Sequence, residues 1–166
     1  SNEMTQSSEN DRNDKKWMQK AAELALNNID VGGGPFGALI VRDGEIIGQG
    51  ANRVTNNLDP TAHAEIMAIR DACQTAQSFS LEGATLYSSC EPCPMCLAAA
   101  YWSRLERIVY GCTQDDAAAI GFDDAFLYRE MRLSHEERSL PIEGLGRDDA
   151  IKAFERWEST SDKVPY

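Results

Sequence analysis

The chain has 166 residues, which is enough for one domain with a single core. It is 42% hydrophobic, and no window approaches the roughly 18 uninterrupted apolar residues of a membrane span, so we expect no membrane partner. Lys and Arg total 16 against 27 for Asp and Glu, and the resulting net charge of −11 repels polyanions and disfavours nucleic acid as a partner.

The first segment, residues 1–12, is polar and acidic, and we predict a disordered arm ahead of a single domain over residues 13–166. This segment lacks the basic start and apolar run of a secretory signal, so a cytoplasmic location is expected. Five cysteines, an odd number, suit a reducing compartment and favour metal or redox chemistry over a disulfide framework.

Apolar residues at helical spacing predict a first helix from Asn13. Gly32-Gly33-Gly34-Pro35 then interrupts the chain. Because no Lys-Ser or Lys-Thr pair follows, we interpret the glycines as a tight turn and not as a phosphate loop. Residues 36–41 and 45–49 are predicted strands, and Asp43-Gly44 between them is typical of a hairpin turn.

Helices and strands alternate in the second half of the chain, which predicts an α/β fold with parallel crossovers. A final helix and a short strand complete a sheet that is covered on both faces. The predicted elements are a helix at 62–76, a strand at 84–88, a helix at 93–103, a strand at 107–111, a helix at 124–132, a short strand at 140–143 and a helix at 148–157.

Two motifs carry the chemistry: H-x-E at His63 and Glu65, and P-C-x-x-C with Cys93 and Cys96. Together they match the signature of zinc deaminases. A catalytic zinc takes three protein ligands and keeps a fourth position open for water, so His63 and the two cysteines are the expected ligands of a Zn²⁺ cofactor. Glu65, two residues from His63, is the expected catalytic proton shuttle.

Each motif has a simpler interpretation on its own. A lone C-x-x-C is also typical of a redox pair, and a lone histidine of a packed core. Glu65 on its own is typical of a solvated face or of a helix cap. Their joint spacing favours the metal site. Cys73, Cys90 and Cys112 are interpreted as packing residues, with a place beside the metal left open for Cys90. The acidic pairs at 115–116 and 123–124 are by themselves typical of solvated surface.

From Trp17 to Tyr166 the chain resembles bacterial guanine deaminases of the cytidine deaminase-like superfamily. Two of the matching motifs are shared with tRNA adenosine deaminases, and two others, near residue 122 and at the C-terminal end, resemble the guanine enzymes alone. The motifs are Gly34–Ala38, Asp59–Glu65, Ser89–Cys96, Gly121–Asp124 and Lys163–Tyr166.

The resemblance implies a three-layer α/β/α sandwich with a mixed five-stranded sheet, and the same zinc ligands. It also implies that Asp124 is both catalytic and substrate-binding, and that Asn52 and Phe36 line the substrate pocket. A homodimer is implied in which a segment of about residues 147–166 is exchanged, so that Tyr166 closes the pocket of the neighbouring subunit.

These features together predict hydrolysis of a small purine base, guanine, to xanthine and ammonia. Asp124 would accept hydrogen bonds from the N1 and 2-amino groups of guanine, whereas adenine lacks the N1 donor. The alternatives are a tRNA adenosine deaminase, a deaminase of another small aminated heterocycle, a non-catalytic zinc scaffold and, most remotely, a redox protein.

Overall fold

The computed structural model describes the backbone of residues 2–166 and the side chains from Asn13 onward. Helix α1 covers Asn2–Ile29. It therefore begins well before the predicted start at Asn13. The predicted arm, residues 1–12, falls where the side chains lie outside the described residues, and its disorder stays a prediction.

The strands are β1 (Gly37–Arg42), β2 (Glu45–Ala51), β3 (Thr85–Cys90) and β4 (Arg107–Cys112). They form one sheet in the order β2-β1-β3-β4. Strand β1 is antiparallel to both β2 and β3, and β3 is parallel to β4, so the sheet is mixed. The hairpin turn between β1 and β2 has positive φ at both central residues, as the Asp43-Gly44 pair predicts.

The prediction of a fifth strand is wrong. Within residues 2–166 the sheet has four strands, and residues 140–143 have no regular secondary structure. This segment alternates apolar and polar residues as a strand does. Leu140 and Ile142 are nevertheless 78% and 50% exposed, and Pro141 between them has no N–H to donate to a ladder. The predicted α/β class, with helices on both faces of the sheet, is confirmed.

Two short helices, α2 (Val54–Asn57) and α5 (Gln114–Ala119), were not predicted, because four and six residues are too few to show helical periodicity. Helix α5 is specified locally instead, by a capping box between Thr113 and Asp116. The helices after α1 are α2 (Val54–Asn57), α3 (Ala64–Ala76), α4 (Pro94–Trp102), α5 (Gln114–Ala119), α6 (Asp124–Met131) and α7 (Arg147–Ser159), with a 3₁₀ turn at His135–Glu137.

Strand β1 is buried on both faces and separates the two halves of the core. Ala38 and Ile40 pack with the alanines of α3, whereas Leu39 and Val41 pack with α1 around Trp17. The approach of α3 to β2 is close. A Cβ atom at Gly48 or Gly50 would lie 2.5–2.7 Å from atoms of α3, so only glycine permits this packing. This close packing fixes the position of α3, and therefore of its first residues, relative to the sheet.

Contacts divide the chain into two compact units, residues 1–127 and 128–166. The first unit contains the sheet and all the predicted site residues except Tyr166. The second contains the end of α6, the 3₁₀ turn and α7. Among the described residues, no helix has the length and apolar character required to cross a bilayer.

Asp14 joins α1 to the sheet. Its carboxylate accepts a 2.6 Å hydrogen bond from the Tyr87 hydroxyl and two from the Arg107 guanidinium, one of 3.0 Å. The hydrogen bonds from Arg107 hold the pKa of Asp14 below its ordinary value. A lowered pKa stabilises the fold above the unfolded-state pKa of about 3.9, and the gain is lost as pH falls through the folded-state pKa.

We therefore expect Asp14→Asn to lower the free energy of unfolding at pH 7 by about 1 kcal/mol, because Arg107 is half exposed and solvent weakens the pair. The deficit relative to the parent should shrink below about pH 4. Urea unfolding at pH values from 7 to 2 measures this deficit in the free energy of unfolding. The matched control is Asp30→Asn, at an exposed site. A deficit that does not change with pH would contradict this role.

Candidate active site

Two helix starts bring the predicted metal ligands together. His63 is the N-cap residue of α3 and Cys93 is the N-cap residue of α4, both in extended backbone conformation. Neither side chain caps its own helix, so both are available for another partner. Pro94 at the first helical position has no N–H to lose there. Cys96 follows in the first turn of α4, on the same side as Cys93.

The three ligand atoms fit a tetrahedral zinc ion. The Sγ atoms of Cys93 and Cys96 each lie 3.5 Å from Nδ1 of His63, and all three atoms lie within 4.8 Å of one another. With Zn–S near 2.3 Å and Zn–N near 2.0–2.1 Å, a sulfur and a nitrogen ligand at the tetrahedral angle stand about 3.5–3.6 Å apart. Only three protein ligands are grouped within the described residues, which is the number typical of a catalytic zinc site.

The charges of the two cysteines also point to a cation. The thiol of Cys96 donates a hydrogen bond that, with a smaller contribution from His63, lowers the pKa of Cys93 to about 4. The pKa of Cys96 is raised in turn, first by the adjacent Cys93 and then by burial. Ionisation of the two thiols is thus coupled, with the thiolate favoured at Cys93 and the thiol at Cys96. A divalent cation would let both sulfurs ionise, as zinc ligands must.

Glu65 lies beside this group without belonging to it. It occupies the second position of α3, is 6% exposed and lines the same cavity as His63 and Cys93. Burial raises the pKa of this carboxyl. A glutamate with a raised pKa is suited to general acid–base catalysis.

A cavity of ≈340 Å³ opens over the metal ligands, near the lower end of the volumes of small-molecule pockets. It is lined by Phe36, Asn52, His63, Glu65, Cys93 and Asp124, which are six of the predicted site residues. Cys96 is 0% exposed and does not line this cavity. A second, mostly apolar cavity of ≈330 Å³ shares Phe36 and Cys90 but none of the metal ligands, so the chemistry belongs to the first.

The predicted substrate residues lie on different segments around the cavity. Asn52 is 9% exposed, and its side-chain oxygen accepts a hydrogen bond of 3.1 Å from the backbone N–H of Val54. Asp124, the first residue of α6, is partly buried, and this burial raises the pKa of its carboxyl. Its neighbour Asp123 instead caps α6, accepting a 3.0 Å bond from the N–H of Phe126. The two adjacent carboxylates therefore differ in role.

Sequence reasoning missed Phe122. Its ring packs edge-on against Phe36, with centroids 4.9 Å apart and an interplanar angle of 85°, and both rings line the cavity. The G-F-D-D motif contained the signal, since an aromatic residue stands two positions before Asp124. Sequence reasoning also missed Glu91. This residue lines the cavity and accepts hydrogen bonds from the backbone and side chain of Gln114 at the start of α5.

Cys90 lines the cavity but is not grouped with the metal ligands, and its thiol contacts the carbonyl of Thr113 at 3.7 Å. Cys73 is partly buried and Cys112 exposed, and both are free thiols. Tyr166 belongs to the unit of residues 128–166 and is 74% exposed. Its closure of a neighbouring pocket stays a prediction.

Comparisons with known proteins agree with this geometry. Residues 11–112 match the family model of the cytidine and deoxycytidylate deaminase zinc-binding region. The guanine deaminase of Bacillus subtilis is 44% identical over 155 residues, which are 93% of this chain and 99% of that protein. The X-ray structure of guanine deaminase from Bacillus subtilis superposes with a TM-score of 0.89 over 92% of this chain and 98% of that one.

A second group of relatives matches less of the chain. The tRNA-specific adenosine deaminase of Haemophilus influenzae is 43% identical over 117 residues, 67% of this chain and 68% of that protein. The alignment to the guanine deaminase spans 93% of the chain and so takes in most of residues 113–166, beyond the family-model match. The chain therefore belongs to the zinc-binding family of cytidine and deoxycytidylate deaminases, within which it groups with the bacterial guanine deaminases.

Proposed function

We propose that this protein is a zinc-dependent hydrolase that converts guanine and water to xanthine and ammonia. The observation that carries the proposal is the buried carboxyl of Glu65 beside the grouped His63, Cys93 and Cys96 side chains, in a cavity that also contains Asp124. The near full-length similarity to a guanine deaminase supports this choice of base.

Zinc, when bound by His63, Cys93 and Cys96, supplies Lewis-acid activation of a water molecule. The protein's own groups do the rest. In the net reaction the oxygen of water bonds to C2 of guanine and the bond from C2 to the exocyclic nitrogen breaks. Glu65 takes one proton from the water and delivers it to N3 of the ring, and it then transfers the second proton, from the new hydroxyl at C2, to the leaving amine. The raised pKa of Glu65 favours the protonated carboxyl between the removal and the delivery of each proton.

Asp124 and Asn52 supply recognition. A carboxylate at Asp124 accepts hydrogen bonds from the N1 and 2-amino groups of guanine, whereas adenine would place its own N1 acceptor against it. A mismatch that leaves a buried group unpaired can discriminate by ~10⁴ or more. The side-chain oxygen of Asn52 already accepts a hydrogen bond from Val54, so its side-chain N–H groups are available to donate to an acceptor on the purine. The rings of Phe36 and Phe122 provide apolar walls for a planar base.

The competing function is tRNA adenosine deamination, which the relative in Haemophilus influenzae supports. The cavity volume of ≈340 Å³ and the net charge of −11 favour a free base over a polyanion. Parallel assays of xanthine from guanine and of inosine in tRNA decide between the two. We expect guanine turnover alone, and tRNA turnover without guanine turnover would overturn the proposal.

Asp124→Asn is expected to lower kcat/KM for guanine at least about 10²-fold while zinc content stays at the parent value. The amide keeps the size of the carboxylate but turns an acceptor into a donor facing the donors of guanine. The matched control is Asp123→Asn, because an amide oxygen can still cap α6. Steady-state kinetics with metal analysis measures both. Loss of zinc in Asp124→Asn would mean that Asp124 serves the metal site instead.

We further propose that the enzyme works as a homodimer in the cytoplasm and exchanges about residues 147–166 between subunits. Helix α7 supports the exchange, because Phe154 and Trp157 on it are 72% and 45% exposed, which is unfavourable for a helix without a partner surface. Five free thiols favour a reducing compartment. Light scattering should give twice the 18.3 kDa of the chain, and a monomer at assay concentration would contradict the dimer.

A further inference from the structure

Asn28 occupies the last turn of α1 and is only 3% exposed, although it does not line the cavity. Its side-chain amide donates two hydrogen bonds of 2.8 Å, one to the carbonyl oxygen of Gly34 and one to that of Asn52. Gly34 and Asn52 both line the cavity and lie on different segments of the chain. One buried amide thus joins two walls of the proposed guanine pocket to the end of α1.

The segment at Asn52 is held by further bonds of the same kind. Its backbone N–H donates to the carbonyl of Phe36 at 3.1 Å, and its side-chain oxygen accepts from Val54 at 3.1 Å. The bond from Asn28 fixes the remaining backbone group, the carbonyl of Asn52. Position and side-chain rotation are therefore both determined. The N–H groups of the Asn52 side chain, which have no hydrogen bond to any residue in the described part of the chain, are left for the purine.

Gly33 shows how little room this contact leaves. A Cβ atom there would lie 2.2 Å from Nδ2 of Asn28 and 2.7 Å from the carbonyl oxygen of Asn52. Contacts that short do not occur, so a side chain at residue 33 would push the amide and the carbonyl apart. The backbone N–H of Gly33 also donates to the carbonyl of Asn28 at 2.9 Å. The glycine stretch therefore serves the packing of Asn28 as well as the turn.

The oxygen of the same side-chain amide destabilises the fold. Oδ1 of Asn28 is buried and has no hydrogen-bond partner among the described residues. An unsatisfied buried oxygen costs stability and calls for an explanation. An apolar side chain would avoid that cost, but it could not donate to the two carbonyls. The arrangement thus favours placement of the pocket walls over stability.

We propose that Asn28 is a positioning residue for substrate binding, which fixes Asn52 so that its side chain meets the purine. This inference rests on the proposed function, because it assigns Asn52 to the substrate. A contact that is made equally in the ground state and in the transition state changes KM and leaves kcat unchanged. The role therefore has a kinetic signature that a purely structural residue would not show.

The test is Asn28→Ala, for which we expect KM for guanine to rise about 10-fold, kcat to stay within about 2-fold and zinc content to stay unchanged. The matched control is Asn27→Ala, the exposed neighbour on the same helix, with parent kinetics expected. Gly33→Ala disturbs the same contact while keeping the amide, and it should raise KM in the same way. It decides the question if Asn28→Ala does not fold.

A double-mutant cycle shows whether Asn28 acts through Asn52. In an Asn52→Ala background, adding Asn28→Ala should change KM by less than about 2-fold. An undiminished 10-fold effect in that background, or parent KM in Asn28→Ala and Gly33→Ala, would overturn the inference.

The cycle is run with whichever base the parent turns over fastest. A parent that prefers another base thus contradicts the proposed function without deciding the role of Asn28.

Discussion

Glu65→Gln is expected to keep one zinc per chain and to lose guanine turnover by at least about 10²-fold, the lower end of the contribution of general acid–base catalysis. Glutamine has nearly the shape of glutamate but cannot carry a proton between water and the leaving amine. Because Glu65 is only 6% exposed, bulk water has poor access to replace it. The measurement is ammonia release with metal analysis on the same sample.

The matched control for this variant is Glu82→Gln, an exposed glutamate in the same unit, which should have parent activity. The variant Glu65→Ala should also retain zinc but lose turnover. Because Glu65→Gln keeps the methylene groups of the side chain and Glu65→Ala removes them, the two variants together separate the role of the carboxyl from that of side-chain packing. Parent turnover in both Glu65 variants would remove the residue from the mechanism. Loss of zinc in both would make it part of the metal site.

Cys96→Ser is expected to bind zinc at least about 10²-fold more weakly and to lose guanine turnover in proportion. Removing groups that only support a ligand already costs about 10–100-fold in metal affinity, and the Sγ atom of Cys96 is itself one of the three grouped ligand atoms. Its side chain is 0% exposed, so no water can easily take its place. Competition against a chelator measures the affinity.

Cys73→Ser is the matched control, because Cys73 is a free thiol on α3 outside the ligand group and should leave zinc affinity unchanged. Full zinc affinity in Cys96→Ser would show that the three grouped side chains do not form the site. Weaker zinc binding in both variants would point to general loss of stability, which thermal unfolding of the two variants would reveal.

The metal ligands were predictable because the spacing within each motif is local, although the site itself joins His63 to cysteines 30 and 33 positions later in the chain. Spacings of two and three residues at the starts of two helices identify His63 and Glu65 as one pair and Cys93 and Cys96 as another. The element types of the sheet and long helices followed from periodicity in the same way. The helix starts were misplaced by one or two residues, since His63 and Cys93 are N-caps rather than first-turn residues.

Features that depend on contacts between distant segments were not predictable. The pairing of Phe36 with Phe122 joins residues far apart in the chain, and the bond from Asn28 to Asn52 spans 24 positions. Periodicity reports only which face of an element is apolar, so it also suggested a strand at 140–143, which pairs with no strand in the described part of the chain. The contacts of the pocket walls carry no local motif that reveals them, whereas each half of the metal site does.

The most direct test of the account is the product balance of the zinc-loaded parent protein with guanine. At one zinc per chain, we predict one xanthine and one ammonia for each guanine consumed, with turnover abolished by a chelator and restored by zinc. Fully loaded, folded protein that leaves guanine unchanged would contradict the proposed function, and turnover that persists without metal would contradict the proposed mechanism.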